Sequence, residues 1–269
     1  MTQAVKEHRP EAGATEKVKP WKELVPVFVN TENVRSFLAA WNALGLARGK
    51  PRLMGIWGRA GVGKTYCVKT HISRQPEEIP YLECLWVWAN SELEFLRALC
   101  KAVGVKSDNI PHRKAPCFEK VLSVMEAHPH RPVVLDDFHR LDRLPGHLEI
   151  VRDLTEMSGA PVVLIGEERL EFMLKEKRQV ASRTKQAVEF KDNQPADVAK
   201  LAKEAAGLVL TREAVIKLHT WAKGDFRFVE NAVAGCLQKA QAKGDARLDL
   251  ADVDAVLRSL LAPLVETRK

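Results

Sequence analysis

Apolar and polar positions divide this chain into a polar opening, an alternation of short apolar runs with helical stretches, and a helix-only end. Residues 1–24 are mostly polar, charged and aperiodic, and predict a flexible tail whose character changes from Trp21 onward. Beyond the stretch Val25-Pro26-Val27-Phe28-Val29, Thr31 is placed to cap a helix carrying Val34, Phe37, Leu38, Trp41 and Leu44 at helical spacing. A loop of Gly49, Lys50 and Pro51 closes it. Four short apolar runs follow, at 53–57, 81–88, 133–135 and 162–165, and a weaker fifth lies at 187–190. Between them Ser91-Glu92-Leu93-Glu94 reads as a capping box for a helix over 92–103, and 116–127 and 147–157 read as amphipathic helices. Buried-type runs that alternate with helices describe a parallel sheet with crossover helices, because such strands are covered on both faces. After Gln194-Pro195 the pattern predicts helices alone, over 196–206, 212–222, 226–242 and 250–261, punctuated by Gly207, Gly224 and Gly244. The expected organisation is an α/β domain over 25–194, with a five-stranded parallel sheet flanked by helices, followed by a small all-helical domain over 195–269.

Composition narrows the class. With 46% apolar and 29% charged residues over 269 positions, the chain can bury a core and lies far from disordered or fibrous sequences. No apolar run approaches the roughly 20 residues that span a bilayer, and the opening residues lack the apolar core of a secretory signal, so a cytoplasmic protein with no membrane partner is expected. The five cysteines are scattered, without zinc spacing, and read as reduced core residues. The net charge of +7 is spread along the chain. It permits a nucleic-acid or polyphosphate partner and equally permits a basic surface with no ligand.

The candidate chemistry centres on Gly58-Arg59-Ala60-Gly61-Val62-Gly63-Lys64-Thr65, directly after the 53–57 run and before a helix. Glycines let backbone N–H groups converge on phosphate oxygens, and the following helix N-terminus adds its dipole. Lys64 supplies a point charge to the β- and γ-phosphates, and Thr65 offers its hydroxyl to Mg²⁺. Tyr66, next along, completes the expected nucleotide contacts, so ATP and Mg²⁺ are the cofactors implied. The 132–137 stretch supplies a carboxylate at the end of a neighbouring strand, with Asp136 for the metal and Asp137 to orient or deprotonate the attacking water. A competing reading makes these acids caps of the next turn.

With these motifs in place the sequence resembles the AAA+ ATPases, and within them the transposition regulators similar to phage Mu transposition protein B, TniB and TnsC. The stretches that carry the likeness are GIWGRAGVGKT (55–65), VVLDDFHRL (133–141), VVLIGEERL (162–170), VASRTKQAVEF (180–190) and GDFRFVENA (224–232), within a resemblance covering about 25–262. It implies that Arg183 is an arginine finger donated to a neighbouring subunit's nucleotide, and that Arg227 is the arginine of the helical lid that touches the γ-phosphate. Arg183 also belongs to a basic run with Lys175, Lys177, Arg178 and Lys185, which together with Arg48, Lys50 and Arg52 offers itself to DNA phosphates. Two departures stand out. Asp137 replaces the usual catalytic Glu and is one methylene shorter, implying slow or partner-stimulated hydrolysis; and Ile165-Gly166-Glu167 has no Asn, Ser or Thr where the family senses the γ-phosphate.

The function the resemblance implies is an ATPase that, when ATP-loaded, binds double-stranded DNA and assembles on it as a homo-oligomer or helical filament with ATP at subunit interfaces. It would then deliver or select target DNA for a transposase. Other readings stay open: an ExeA-like secretion ATPase, a STAND-type signalling or defence NTPase, a small-molecule kinase, and a scaffold that binds ATP with little hydrolysis. The helix-only region of roughly 75 residues and the Gly224-Asp225-Phe226-Arg227 match count against the kinase.

Overall fold

The computed structural model describes residues 18–46 and 52–260. The expectations for 1–17, for Arg48 and Lys50, and for the loop around them lie outside the described residues.

Helix α1 (Glu32–Leu46) starts where expected, with Thr31 Oγ1 accepting from Val34 N at 3.2 Å. Then come β1 (Leu53–Trp57), α2 (Lys64–Ile72), β2 (Tyr81–Glu83), α3 (Glu92–Ala102), α4 (Lys114–Ala127), β3 (Val133–Asp136), α5 (Gly146–Ser158), β4 (Val162–Ile165), α6 (Glu168–Glu176), α7 (Arg178–Ala181) and β5 (Thr184–Glu189). The strands form one parallel sheet in the order β2-β3-β4-β1-β5. Strands β1, β3 and β4 are buried throughout, which is why they read as unbroken apolar runs. Their alternation is nonetheless strict. Leu53, Leu135 and Leu164 face α3, α4 and α5, whereas Met54, Ile56, Val134 and Val163 face α1 and α2.

The structure corrects several expectations. The strand foreseen over 81–88 stops at Glu83, because β2 pairs only with β3 and β3 ends at Asp136, leaving no ladder partner further on. The chain turns instead into a 3-10 turn at Trp86–Trp88 with Leu85, Trp86 and Val87 exposed. The strand that carries Asp136 is not beside β1, since β4 lies between them. Only half of the expected capping box forms: Ser91 Oγ accepts from Glu94 N, while the Glu94 carboxylate turns to Arg97 at 3.7 Å. Arg52 cannot serve DNA. It is buried, and its guanidinium donates to the carbonyl of Gly159, the residue that closes α5, at 2.6 Å, and to that of Pro129, just past the end of α4.

After Gln194 the four expected helices form, α8 (Pro195–Ala206), α9 (Arg212–Ala222), α10 (Phe226–Lys243) and α11 (Leu250–Arg258), but the region is not all-helical: a two-residue parallel pair, β6 (Val209–Leu210) and β7 (Arg247–Leu248), is too short to show in the sequence pattern. Gln194 and Asp197 form a reciprocal capping box, and α8 ends on the left-handed Gly207. These helices share their own core, including Leu201, Leu218, Val229, Cys236 and Val253. The segment 18–29 runs over them, with Val25 N donating to Ala205 O at 2.8 Å and Val29 buried in their core. All five cysteines are free and buried, and burial pushes the Cys236 thiol up to about 12. Among the described residues no helix is long and apolar enough to cross a membrane.

Candidate functional site

The phosphate loop leaves the buried end of β1 and enters α2. Gly58 has φ 145°, and a Cβ there would lie 2.2 Å from the Phe190 carbonyl oxygen; Gly61 has φ 78°, and a Cβ there would lie 2.0 Å from the Asp225 carboxylate carbon. At Gly58 a side chain would strike backbone, and at Gly61 it would be strained by the left-handed φ and would displace the Asp225 carboxylate. Residues 60–67, which include Ala60, Val62, Gly63, Thr65 and Tyr66, line a cavity of about 560 Å³. Lys64 is buried, and its Nζ donates to Gly58 O and Arg59 O, both at 2.7 Å. Burial lowers its pKa, with the charges of Glu167, Asp136 and Asp137 opposing that shift.

Asp136 closes β3 and is 2% exposed. One carboxylate oxygen accepts from Asp137 N at 2.8 Å and the other from the Tyr81 hydroxyl. Asp137 has φ 53°, a left-handed conformation that Asp tolerates better than most side chains, and lines the cavity. Its carboxylate pairs with Arg140 at 2.6 Å. Burial and the Asp136 charge hold its pKa above the usual carboxylate value, against Arg140 and His139. Glu167, just past β4, lines the same cavity. Its backbone N donates to His139 Nδ1 at 3.2 Å, so the neutral ring carries its proton on Nε2, 4.0 Å from the Glu167 carboxylate.

The helical region closes the other side. Asp225 caps α10 by accepting from Arg227 N at 2.8 Å, and Phe226 N donates to Gly61 O at 2.9 Å, pinning the start of the helix to the phosphate loop. The Arg227 guanidinium lines the cavity and is 72% exposed. Arg59 points away from the cavity and donates to both Asp192 oxygens, at 3.0 and 2.9 Å, a second tie to the segment that leads into α8. Val27, Phe28 and Val29 supply an apolar wall, and the Tyr66 hydroxyl donates to Val27 O at 2.8 Å.

Lys64, Thr65, Asp137 and Arg227 therefore meet at one cavity, with Asp136 beneath it, whereas Arg183 does not join them. Arg183 precedes β5 beside the start of β1, at the opposite end of the sheet, and grips both Glu156 oxygens at 3.0 and 3.1 Å. Of the basic run, Lys175 pairs with Glu171 and Lys177 with Glu149, each at 2.5 Å, so much of its charge is matched at home. The sequence reading missed Tyr81, His139, Arg140 and Glu167. Glu167 carried a signal, an acid directly after a buried run; Tyr81, 55 residues from its partner, carried none.

Among the described residues no cluster of three or more His, Cys, Asp or Glu is set to hold a metal. One buried carboxylate and one hydroxyl fit Mg²⁺ carried on phosphates, because that ion keeps its waters and binds through one or two carboxylates plus phosphate oxygens.

Residues 47–174, just under half of the chain, match the family described as an AAA domain. No curated protein matches the sequence. The structure is similar to that of the Aeropyrum pernix ORC1 protein in complex with DNA, with a TM-score of 0.61, 19% identity, and coverage of 87% of this chain and 66% of that one. It is also similar to Cdc6p from Pyrobaculum aerophilum, with a TM-score of 0.61, 14% identity, and coverage of 90% and 70%. A third similar structure is domain III of the Thermotoga maritima replication initiation protein DnaA, with a TM-score of 0.53, 15% identity, and coverage of 88% and 95%. The fold is that of an AAA+ phosphate-loop NTPase. The cavity lies outside the carboxyl ends of β1, β3 and β4, where open parallel sheets bind ligands, and an AAA domain implies nucleotide binding. The chain spans about two thirds of the ORC1 protein's length.

Proposed function

We propose that the protein is an ATPase that, with ATP bound, assembles on double-stranded DNA and delivers or selects target DNA for a transposase. The observation that carries the nucleotide chemistry is the convergence of Lys64, Thr65, Asp137 and Arg227 on one cavity closed by a glycine loop, with Asp136 buried below. An α/β domain over 25–194 would hold the nucleotide and a lid over 195–269 would cover it. Backbone amides of residues 58–66 would cradle the phosphates, and Lys64 would leave its loop carbonyls for the β- and γ-phosphate oxygens. Bound through Asp136 and Thr65, Mg²⁺ supplies charge neutralisation at the phosphates. The attacking water would give a proton to Asp137 as its oxygen bonds to the γ-phosphorus, the bond from that phosphorus to the leaving ADP oxygen would break, and inorganic phosphate would be released. The raised pKa of Asp137 makes it a stronger base than an ordinary Asp.

Arg227 stands on the lid helix and would report the γ-phosphate to the helical region through the Phe226 and Asp225 contacts with the phosphate loop. Arg183 is roughly five strand residues, about 15 Å, from its own loop, which favours donation to a neighbouring copy. ATP held between copies would make assembly nucleotide-dependent, and assembly multiplies weak phosphate contacts on DNA. The similar ORC1 protein was solved with DNA, which supports a DNA partner. The resemblance of GDFRFVENA and VVLDDFHRL to transposition regulators supports the transposase.

Electron microscopy with duplex DNA tests this reading: filaments or rings are expected with a slowly hydrolysed ATP analogue and not with ADP. Equal coating without nucleotide, or no DNA binding in either state, overturns it. A second reading, an ATP-binding scaffold with little turnover, is favoured by the short Asp137 side chain being held by Arg140.

A further inference from the structure

We propose that Tyr81 is a positioning residue for the metal-binding carboxylate, its hydroxyl fixing the plane of Asp136 so that nucleotide-borne Mg²⁺ meets a preset ligand. This rests on the cavity being the Mg²⁺·ATP site.

Tyr81 opens β2 and stands in register with Val134, two residues short of Asp136, whose own partner is Glu83. The phenol spans that offset and donates to one Asp136 oxygen, while Asp137 N donates to the other at 2.8 Å. A carboxylate torsion is broad and roughly two-fold, so a single donor leaves it free to swing. Two donors on opposite oxygens hold it and still leave a lone pair on each oxygen for the ion or its waters. The phenol is itself held. The Lys69 ammonium sits 4.7 Å from its ring centroid, and Lys69 lies on α2, the helix that the phosphate loop opens. Tyr81 thus ties the acid on β3 to the helix that carries Lys64 and Thr65. Such outer partners of a ligand commonly alter metal affinity by 10–100-fold.

The test uses the full chain and its Tyr81→Phe variant, which keeps the ring and loses only the hydroxyl. Binding of a fluorescent ATP analogue is followed across a Mg²⁺ titration and again in EDTA, with thermal unfolding in EDTA beside it. The Mg²⁺ midpoint of Tyr81→Phe is expected to rise about tenfold, with analogue affinity in EDTA within twofold of the parent. An unchanged Mg²⁺ midpoint overturns the proposal. So does an equal loss of affinity with and without Mg²⁺, or a variant that fails to fold, since either makes the hydroxyl a support of the pocket rather than of the ligand. If the parent protein binds the analogue in neither condition, the nucleotide site itself fails, and the role of Tyr81 with it.

Discussion

At Lys64 one buried ammonium is held by two loop carbonyls and faces the charges of Glu167, Asp136 and Asp137. Lys64→Ala removes the charge-assisted bonds to the phosphates, worth about 1.5–3 kcal/mol each, so calorimetry should show ATP affinity falling by about 100-fold. DNA binding that depends on ATP should vanish with it. In the proposed mechanism Asp137 would set the pH response. It must be ionised to accept a proton, and its folded pKa lies above the ordinary Asp value, so hydrolysis should fall as pH drops through a point displaced upward from that value. Asp137→Asn should cost at least about 100-fold in turnover, abolish that acid limb, and leave ATP binding intact in a filter assay. Turnover equal to the parent's would remove Asp137 from the chemistry. At this scale the eight-residue loop was legible because its chemistry is contiguous, whereas the Tyr81 and Arg140 bonds join residues whose nearness only folding creates.

Strands β1, β3 and β4 were legible as elements because burial on both faces leaves an unbroken apolar run in the sequence. The length of β2 was not, because a strand ends where its partner ends, and the end of β3 is invisible from residues 81–88. Helices α6 and α7 were missed although Leu170, Met173 and Leu174 are buried at helical spacing. Ile56 is fully buried between α1 and α2. Ile56→Ala should cost about 2–5 kcal/mol in denaturant unfolding, since strand neighbours on both sides prevent collapse around the cavity left. Gly61→Ala should leave the core intact yet weaken nucleotide binding, because the added Cβ strikes the Asp225 carboxylate and strains a left-handed position. An unfolding free energy lowered by only about 1–2 kcal/mol, with ATP-analogue binding lost, is the expected pair of results.

On the scale of the whole molecule, Arg183 belongs to an end of the sheet that its own cavity does not reach. Arg183→Ala is expected to bind ATP normally and hydrolyse it poorly, and mixing it with Lys64→Ala subunits should restore part of the activity if the arginine acts between copies. A mixture no more active than its components would count against that. DNA affinity should also fall steeply with salt, since contacts to phosphates release counterions. The amino-acid sequence by itself determined the parallel α/β class, the glycine loop with Lys64 and Thr65, the two acids ending an apolar run, and the helical end, because each is a local pattern of spacing and burial. Only tertiary structure decided that β4 separates the loop strand from the acid strand, that Arg52 is a buried cap for α5, and that Arg59 and Phe226 tie the loop to the helical region. Those outcomes depend on strand order and on charges brought together from distant positions, which no local periodicity encodes.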